Sequence, residues 1–184
     1  MDNKIDFKKN IIFFQTLDST NDFLKREFEN LSNHTVVVAE YQTHGRGQFE
    51  RVWESNAKEN LLCSILIRDD HFVVRKMMNP LIVSALIASL NEYGIEATYK
   101  APNDIYVGED KIAGVLIETK YENTTMIYTI VGIGLNVNQT DFQTPNATSI
   151  KKVTGKVHRI QSVLEKMLTH ISNYLFMLTL SEAI

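Results

Sequence analysis

Two extended apolar segments in the second half of the chain constrain its fold most strongly. Residues 111–120 and 126–137 are rich in β-branched side chains, and the polar triplet at 122–124 separates them. This pattern is typical of a β-hairpin and therefore predicts an antiparallel pair of strands. Because helical and extended patterns alternate irregularly elsewhere, we expect an α+β fold, with a mixed β-sheet and helices packed on one of its faces.

Shorter patterns predict the remaining strands and a long loop. Residues 42–56 are polar, contain glycine and show no periodicity, which is typical of a functional or mobile loop. At residues 160–178 an apolar side chain recurs every three or four positions, which predicts a helix whose apolar stripe packs on the core. Apolar and β-branched residues favour strands at residues 11–16, 35–41, 60–68, 96–99 and 104–107.

Two further helices are predicted from residues that begin or end helices. Ser19 precedes Asp22 by three positions, the spacing of a helix-capping box, so we expect a helix over residues 20–30. Pro80 is suited to the first turn of a helix, and Gly94 is suited to end one in the left-handed conformation. The sequence between them therefore predicts a second, mostly buried helix.

Composition narrows the class of protein. The 184 residues are 44% hydrophobic and 22% charged, with a formal net charge of −3, which fits one globular domain over residues 1–184. A lone cysteine, Cys63, excludes a disulfide framework and favours a reducing, cytoplasmic location. No apolar run approaches the ~20 residues of a membrane span. The slightly acidic balance argues against a dedicated nucleic-acid binder, so we expect neither membrane nor nucleic acid as a partner.

The loop after the second predicted strand is the most unusual segment. Gly45 and Gly47 flank Arg46, which lets the backbone approach a ligand closely, and Arg46 and Arg51 carry forked donors suited to carboxylate or phosphate. Trp53 offers a flat face on which a purine could stack. The loop therefore predicts an anion site, with a flexible turn and a core tryptophan as the plainer alternatives.

Two other segments bring polar side chains together. Lys100, Asn103 and Asp104 surround a proline that stiffens the backbone, although the same residues are common in an ordinary turn. Lys111 opens the long strand and is soon followed by Gly114, whose size lets a ligand lie against a sheet. The alternative for Lys111 is an ordinary strand start.

The segment from Gly132 to Asn138 contains a Gly-x-Gly pair but is not a dinucleotide fingerprint. Val137 stands where a third glycine is required, and the segment continues a strand instead of turning into a helix. The five histidines show no paired spacing, and the chain has a single cysteine, so no protein-ligated metal is expected. Any nucleotide is therefore bound without the common phosphate loops.

Together these segments resemble, in order and spacing, the catalytic domain of biotin protein ligases. The resemblance runs from about residue 11 to residue 178. It rests on five motifs: 17–21 (Leu-Asp-Ser-Thr-Asn), 39–47 (Ala-Glu-Tyr-Gln-Thr-His-Gly-Arg-Gly) with Trp53 beyond, 100–104 (Lys-x-Pro-Asn-Asp), 111–114 (Lys-x-Ala-Gly) and 132–138 (Gly-x-Gly-x-Asn-x-Asn).

The resemblance implies a fold, a reaction and partners. The fold is that of biotin ligases and class II aminoacyl-tRNA synthetases. The reaction is an ATP- and Mg²⁺-dependent, AMP-forming ligation: the carboxylate of biotin attacks the α-phosphate of ATP to give biotinyl-5′-AMP. A lysine of a biotin carboxyl carrier protein domain then accepts the biotin. A homodimer formed along the sheet is a further expectation.

The resemblance also assigns residues to roles. The expected catalytic residues are three cations: Lys111, Arg46 and Arg51. The residues expected to bind biotin are Ser19, Thr20, Asn21, Gln42, Gly45, Arg46, Gly47, Gln48, Lys111, Gly114 and Leu116. The residues expected to bind ATP are Arg46, Arg51, Trp53, Lys100, Asn103, Asp104 and Asn136. Asp104 is expected either to orient Lys111 or to help hold Mg²⁺.

The chain also departs from the family pattern. Gln48 stands where many members carry a second arginine, and Ala101 replaces the usual tryptophan, so we expect weaker retention of biotinyl-AMP. By the same resemblance we expect no N-terminal DNA-binding domain and an absent or truncated C-terminal β-barrel. The alternatives are a lipoate or octanoate transferase and a biotin-binding module with weakened turnover. We expect the loop at 43–55 to be mobile until ligand orders it.

Overall fold

A computed structural model of the chain describes residues 4–49, 51–68 and 72–181. Within these ranges seven strands form one sheet in the order β1-β2-β3-β7-β6-β5-β4. Strands β1 and β2 are parallel and every other neighbouring pair is antiparallel, so the sheet is mixed as predicted. The strands are β1 (Ile11–Leu17), β2 (Val36–Gln42), β3 (Leu61–Ile67), β4 (Thr98–Lys100), β5 (Asp104–Val107), β6 (Asp110–Glu122) and β7 (Thr125–Leu135).

The predicted hairpin is confirmed as β6 and β7, the longest antiparallel pair of the sheet. Asn123, at the turn between them, adopts a φ of 56°, a conformation that asparagine tolerates better than most residues. The two strands run side by side from the turn to the pair Ala113 and Leu135. This ladder supplies the central part of the sheet on which the site is built.

The helices are α1 (Thr20–Glu27), α2 (Phe72–Asn91), α3 (Ile150–Thr154) and α4 (Ile160–Ser181). Ser19 is confirmed as the residue that caps α1, because its hydroxyl accepts a hydrogen bond from the Asp22 backbone N–H at 3.4 Å. The return bond of a capping box is not formed with Asp22, since the Ser19 N–H donates to the Asp18 carboxylate at 2.8 Å. Helix α3 is one the sequence patterns did not predict. It is only five residues long and carries too little periodicity to be recognised.

The prediction that Pro80 begins a helix is wrong. Helix α2 begins at Phe72, and Pro80 lies inside it on the exposed side. Proline lacks the N–H that would bond within the helix, and at this exposed position its ring does not have to fit into the core. Gly94 does follow the end of α2 with a φ of 72°, as predicted.

The two faces of the sheet are covered differently. Helices α2 and α4 pack on one face against the main core, which contains Cys63 at 1% exposure. Helix α1 packs on the opposite face, where Leu24 contacts Val37, Leu66 and Ile130. The expectation of helices on one face thus holds for the two long helices only. Because α1 is short, part of the second face stays open.

Burial raises the pKa of the Cys63 thiol to about 12, so this residue behaves as a small core hydrophobe. No helix in the described ranges is long and apolar enough to cross a bilayer. Of the loop discussed above, Glu50 lies outside the described residues.

Candidate functional site

A cavity of about 400 Å³ opens on the sheet face that α1 leaves uncovered. Every residue that the sequence assigned to a site borders this cavity except Gly45. Gly45 is buried behind Trp53, whose backbone N–H donates to the Gly45 carbonyl at 3.0 Å. A Cβ at position 45 would come within 2.5 Å of the Trp53 carbonyl oxygen, so this glycine allows the loop to close on itself.

One end of the cavity carries neutral hydrogen-bonding groups. The Gln42 side-chain oxygen accepts from the backbone N–H of Thr20 at 2.7 Å and from the Thr20 hydroxyl at 3.0 Å. The hydroxyl of Ser64, fully buried on β3, lies 2.6 Å from the Thr20 hydroxyl and 2.5 Å from the Asn21 side-chain oxygen. The start of α1 is thereby fixed to the sheet, and the side chains of Ser19, Thr20, Asn21 and Gln42 that line this end are themselves uncharged.

Glycines form the floor of the cavity. A Cβ on Gly132 would overlap the Asn21 side-chain oxygen, and a Cβ on Gly134 would overlap the Trp53 indole. Gly114, the strand partner of Gly134, lies under the same indole. The Gly-x-Gly pair that fails as a dinucleotide motif therefore makes room on the sheet for Asn21 and Trp53.

Lys111 enters the cavity because β6 is irregular at its start. Gly114 pairs with Asp104 and Ala113 with Ile105, but Tyr106 pairs with Lys111, which leaves one extra residue on β6. Such a bulge reverses which face the preceding side chain points to. Lys111 therefore lies on the same face as Gly114, with its Nζ 2.7 Å from the Asp104 carboxylate and 5.4 Å from the Trp53 ring centre.

The ion pair is compatible with the expected role of Asp104 in orienting Lys111. Asp104 is the more buried partner, with 19% of its side chain exposed against 30% for Lys111. A carboxylate so placed holds the ammonium in one position. Lys111 is thus a fixed positive charge at the centre of the cavity.

Arg46 is held at the edge of the cavity by two carboxylates. Its Nη1 donates to Asp22 Oδ1 at 2.7 Å and to Glu118 Oε2 at 3.1 Å, and its Nη2 donates to Glu118 Oε1 at 3.1 Å. Lys25 Nζ also lies 2.7 Å from Glu118. Burial alone would raise the pKa of Glu118, but the hydrogen bonds from Lys25 and Asn21 and the nearby positive charges lower it overall. Glu118 is therefore an anion at neutral pH.

The side of the cavity formed by β5 and the chain after β7 has unused polar atoms. Asn103 is fixed to β6 by two bonds with Val115, one from its side chain at 3.0 Å and one to its carbonyl at 2.9 Å. The side-chain oxygen of Asn136 and the indole N–H of Trp53 are buried and have no partner among the described residues. A buried acceptor and a buried donor in one cavity indicate a polar ligand.

The sequence patterns missed several residues of this site. Ser64 lies in an apolar strand, and Glu118 lies in the middle of β6, where nothing distinguishes it from a solvated charge.

Gln48 is partly buried and borders the cavity instead of pointing into solvent. Within the described ranges no three His, Cys, Asp or Glu side chains are grouped as metal ligands are.

Comparison with known proteins accounts for this geometry. Residues 13–136 match the model of the biotin/lipoate A/B protein ligase family. The chain belongs to this family. Among its relatives is the bifunctional ligase/repressor BirA of Bacillus subtilis, 32% identical over 159 residues, which are 80% of this chain and 48% of that protein. A biotin–[acetyl-CoA-carboxylase] ligase of Mycobacterium tuberculosis is 30% identical over 145 residues, 74% of this chain and 52% of that protein.

Solved structures of the family agree with the fold. A biotin protein ligase from Aquifex aeolicus in complex with biotin and ATP superposes with a TM-score of 0.78 at 34% identity, covering 91% of this chain and 70% of that one. The fold expected from the resemblance to biotin protein ligases is confirmed. The chain spans about half the length of the curated relatives it matches.

Proposed function

We propose that this chain activates biotin with ATP to biotinyl-5′-AMP and then transfers the biotin to a lysine of a biotin carboxyl carrier domain. The observation that carries the proposal is the placement of Lys111. In one cavity it lies beside Trp53, between an uncharged polar end suited to a ureido group and a side with unpaired buried polar atoms suited to a nucleotide. The relative from Mycobacterium tuberculosis is a biotin–[acetyl-CoA-carboxylase] ligase, and the similar structure from Aquifex aeolicus is a biotin protein ligase in complex with biotin and ATP.

The first step joins two anions, so positive charge decides its rate. An oxygen of the biotin carboxylate attacks the α-phosphorus of ATP, the bond to the β-phosphate oxygen breaks, and pyrophosphate leaves. Lys111, fixed by Asp104, neutralises the carboxylate and the α-phosphate as they approach. Arg51 borders the same cavity and is the second cation available to phosphate oxygens.

Mg²⁺ enters this proposal with the nucleotide. It neutralises phosphate charge when bound, and such sites need only one or two carboxylates because phosphates and water supply the other ligands. Asp104 and Glu109 are the carboxylates that border the β5 side of the cavity. The donor set therefore fits a magnesium ion held chiefly by the triphosphate.

The remaining assignments follow the geometry. Ser19, Thr20, Asn21 and Gln42 hydrogen-bond the ureido group of biotin, and Gly114 and Leu116 line its apolar part. Trp53, Lys100, Asn103 and Asn136 contact the nucleotide. Arg46 borders the cavity but is paired with Asp22 and Glu118, and these contacts favour an anchoring role over direct catalysis.

The second step transfers biotin to protein. The uncharged amine of the carrier lysine attacks the carbonyl carbon of the mixed anhydride, a C–N bond forms, and AMP leaves as the C–O bond breaks. The amine loses a proton in the process. Residues 1–184 act as one catalytic domain in this proposal, and the pairing of two copies along the sheet is a separate proposal that sedimentation tests.

One assay tests the proposed function against its alternatives. The chain is incubated with Mg·ATP, a carrier domain and either biotin or octanoate, and pyrophosphate exchange and acyl transfer are measured separately. We expect pyrophosphate exchange and acyl transfer with biotin, and neither with octanoate. Transfer of octanoate would assign the chain to the lipoate branch. Tight biotin binding without pyrophosphate exchange would show that the chain is a binding module. The Lys111→Ala variant is the control that gives the background rates of exchange and transfer.

A further inference from the structure

Arg46 connects three separate parts of the chain. Asp22 lies on α1, Glu118 on β6, and Arg46 itself in the loop after β2. Both Glu118 oxygens are occupied, one by Arg46 Nη2 and Lys25, the other by Arg46 Nη1 and the Asn21 side chain at 2.8 Å. A two-pronged pairing of this kind fixes direction as well as distance. Glu118 therefore holds the loop and the polar end of the cavity in one relative position.

The loop after β2 connects Arg46, through backbone hydrogen bonds, to Trp53 at the centre of the site. Gly47 N–H donates to the Arg51 carbonyl at 2.7 Å, Trp53 N–H donates to the Gly45 carbonyl, and Arg46 pairs with Val52. These contacts make a small hairpin of residues 45–49 and 51–53, here called the Arg46 hairpin. Its last residue, Trp53, lies on Gly114 and Gly134 and under the Lys111 ammonium. Moving Arg46 therefore moves Trp53.

We propose that Glu118 is a positioning residue of the ligase: acting through Arg46, and supported by Asp22, it seats the Arg46 hairpin so that Trp53 and Arg51 meet the reacting groups at Lys111. The role in ligation rests on the proposed function, whereas the seating of the hairpin is a property of the protein by itself. Glu118 does not touch the reacting atoms. With 22% of its side chain exposed, it is the least exposed member of the Arg46 ion-pair group.

Trp53 provides a direct readout, because it is the chain's single tryptophan. Acrylamide quenching of its fluorescence, with no substrate present, is compared in the wild type, Glu118→Gln and Glu122→Gln. Glu122 is an exposed carboxylate of the same strand with only a 3.6 Å surface contact to Lys120, so it is the matched control. We expect at least about a twofold larger quenching constant and a red-shifted emission in Glu118→Gln, and neither change in Glu122→Gln.

A double variant tests whether Glu118 acts through Arg46. Arg46→Gln should reproduce the change in quenching, and adding Glu118→Gln to it should bring no further change. Additive effects, or unchanged quenching in a folded Glu118→Gln protein, would overturn the proposal. If circular dichroism shows that Glu118→Gln does not fold, Asp22→Asn replaces it, and the same direction of change is required.

Ligand binding and turnover separate this proposal from a purely structural role. By titration calorimetry the biotin Kd should rise about tenfold in Glu118→Gln and stay unchanged in Glu122→Gln. The KM for ATP should rise more than kcat falls. A variant that loses thermal stability but keeps wild-type Kd, KM and quenching contradicts the proposal. An inactive wild-type protein would refute the proposed function. The seating of the Arg46 hairpin would still be tested by the fluorescence quenching, which needs no substrate.

Discussion

Replacing Gly132 with alanine tests how the floor of the cavity is built. The added methyl group would overlap the side-chain oxygen of Asn21 and come within 2.9 Å of its Cγ. Asn21 has little room to move, because it is 3% exposed and is held by Ser64 at 2.5 Å and by Glu118 at 2.8 Å. We therefore expect Gly132→Ala to displace the Asn21 amide, which the proposed function assigns to biotin binding.

The size of the effect follows from the contacts. Overpacking a tight site costs about 1–3 kcal/mol, while alanine in an ordinary strand conformation recovers about 0.4–1 kcal/mol by restricting the unfolded chain. The free energy of unfolding should thus fall by only about 0.5–2 kcal/mol. Loss of well-placed hydrogen bonds to biotin, at about 1–2 kcal/mol, should raise the biotin Kd about 5–30-fold.

Titration calorimetry with biotin, in the wild type and in an Asn21→Ala background, measures this prediction. Once the Asn21 amide is removed, Gly132→Ala should add less than about 0.5 kcal/mol to the binding penalty, because its steric partner is gone. Gly134→Ala is the control: it meets Trp53, so its penalty should be the same in both backgrounds. Wild-type affinity in Gly132→Ala, or a full penalty in both backgrounds, would refute the reasoning.

Four further outcomes are expected. Lys111→Ala should slow biotin-dependent pyrophosphate exchange about 10²–10³-fold while changing the biotin Kd less than about tenfold; equal losses would reject its role in the adenylation step. Gln48→Arg should slow the release of biotinyl-AMP measured by quench-flow, since it adds a cation at the cavity wall, and indistinguishable release rates would reject that. Native Cys63, with its pKa near 12, should react with an aromatic disulfide reagent only as fast as the protein unfolds, so rapid labelling of the folded protein would contradict its burial. The hydrogen bond from Arg26 lowers the pKa of Asp18 from 3.8 to about 2. This pair therefore adds stability above about pH 4 that is lost as the pH falls towards 2, and urea unfolding of Asp18→Asn should show a smaller acid-side loss.

The sequence predicted correctly those features that depend on interactions between residues close together in the chain. The N-cap at Ser19, the hairpin of β6 and β7, and the left-handed Gly94 each depend on a few neighbouring residues, and each was predicted correctly. The predicted start of α2 was wrong because Pro80 lies inside the helix on its exposed side, and whether a helix accommodates an interior proline depends on its surroundings.

The sequence by itself determined the strands, most of the helices, the family and many of the side chains that border the cavity, since these follow from periodicity and from motifs in a set order. The tertiary structure decided how those side chains work. The bulge before Gly114 turns Lys111 into the cavity. Ser64 and Glu118, on β3 and β6, hold the cavity residues Asn21 and Arg46 in place. Gly132 and Gly134 leave the room that Asn21 and Trp53 occupy. Each of these contacts joins residues far apart in the chain, and spacing along the sequence carries no information about such distances.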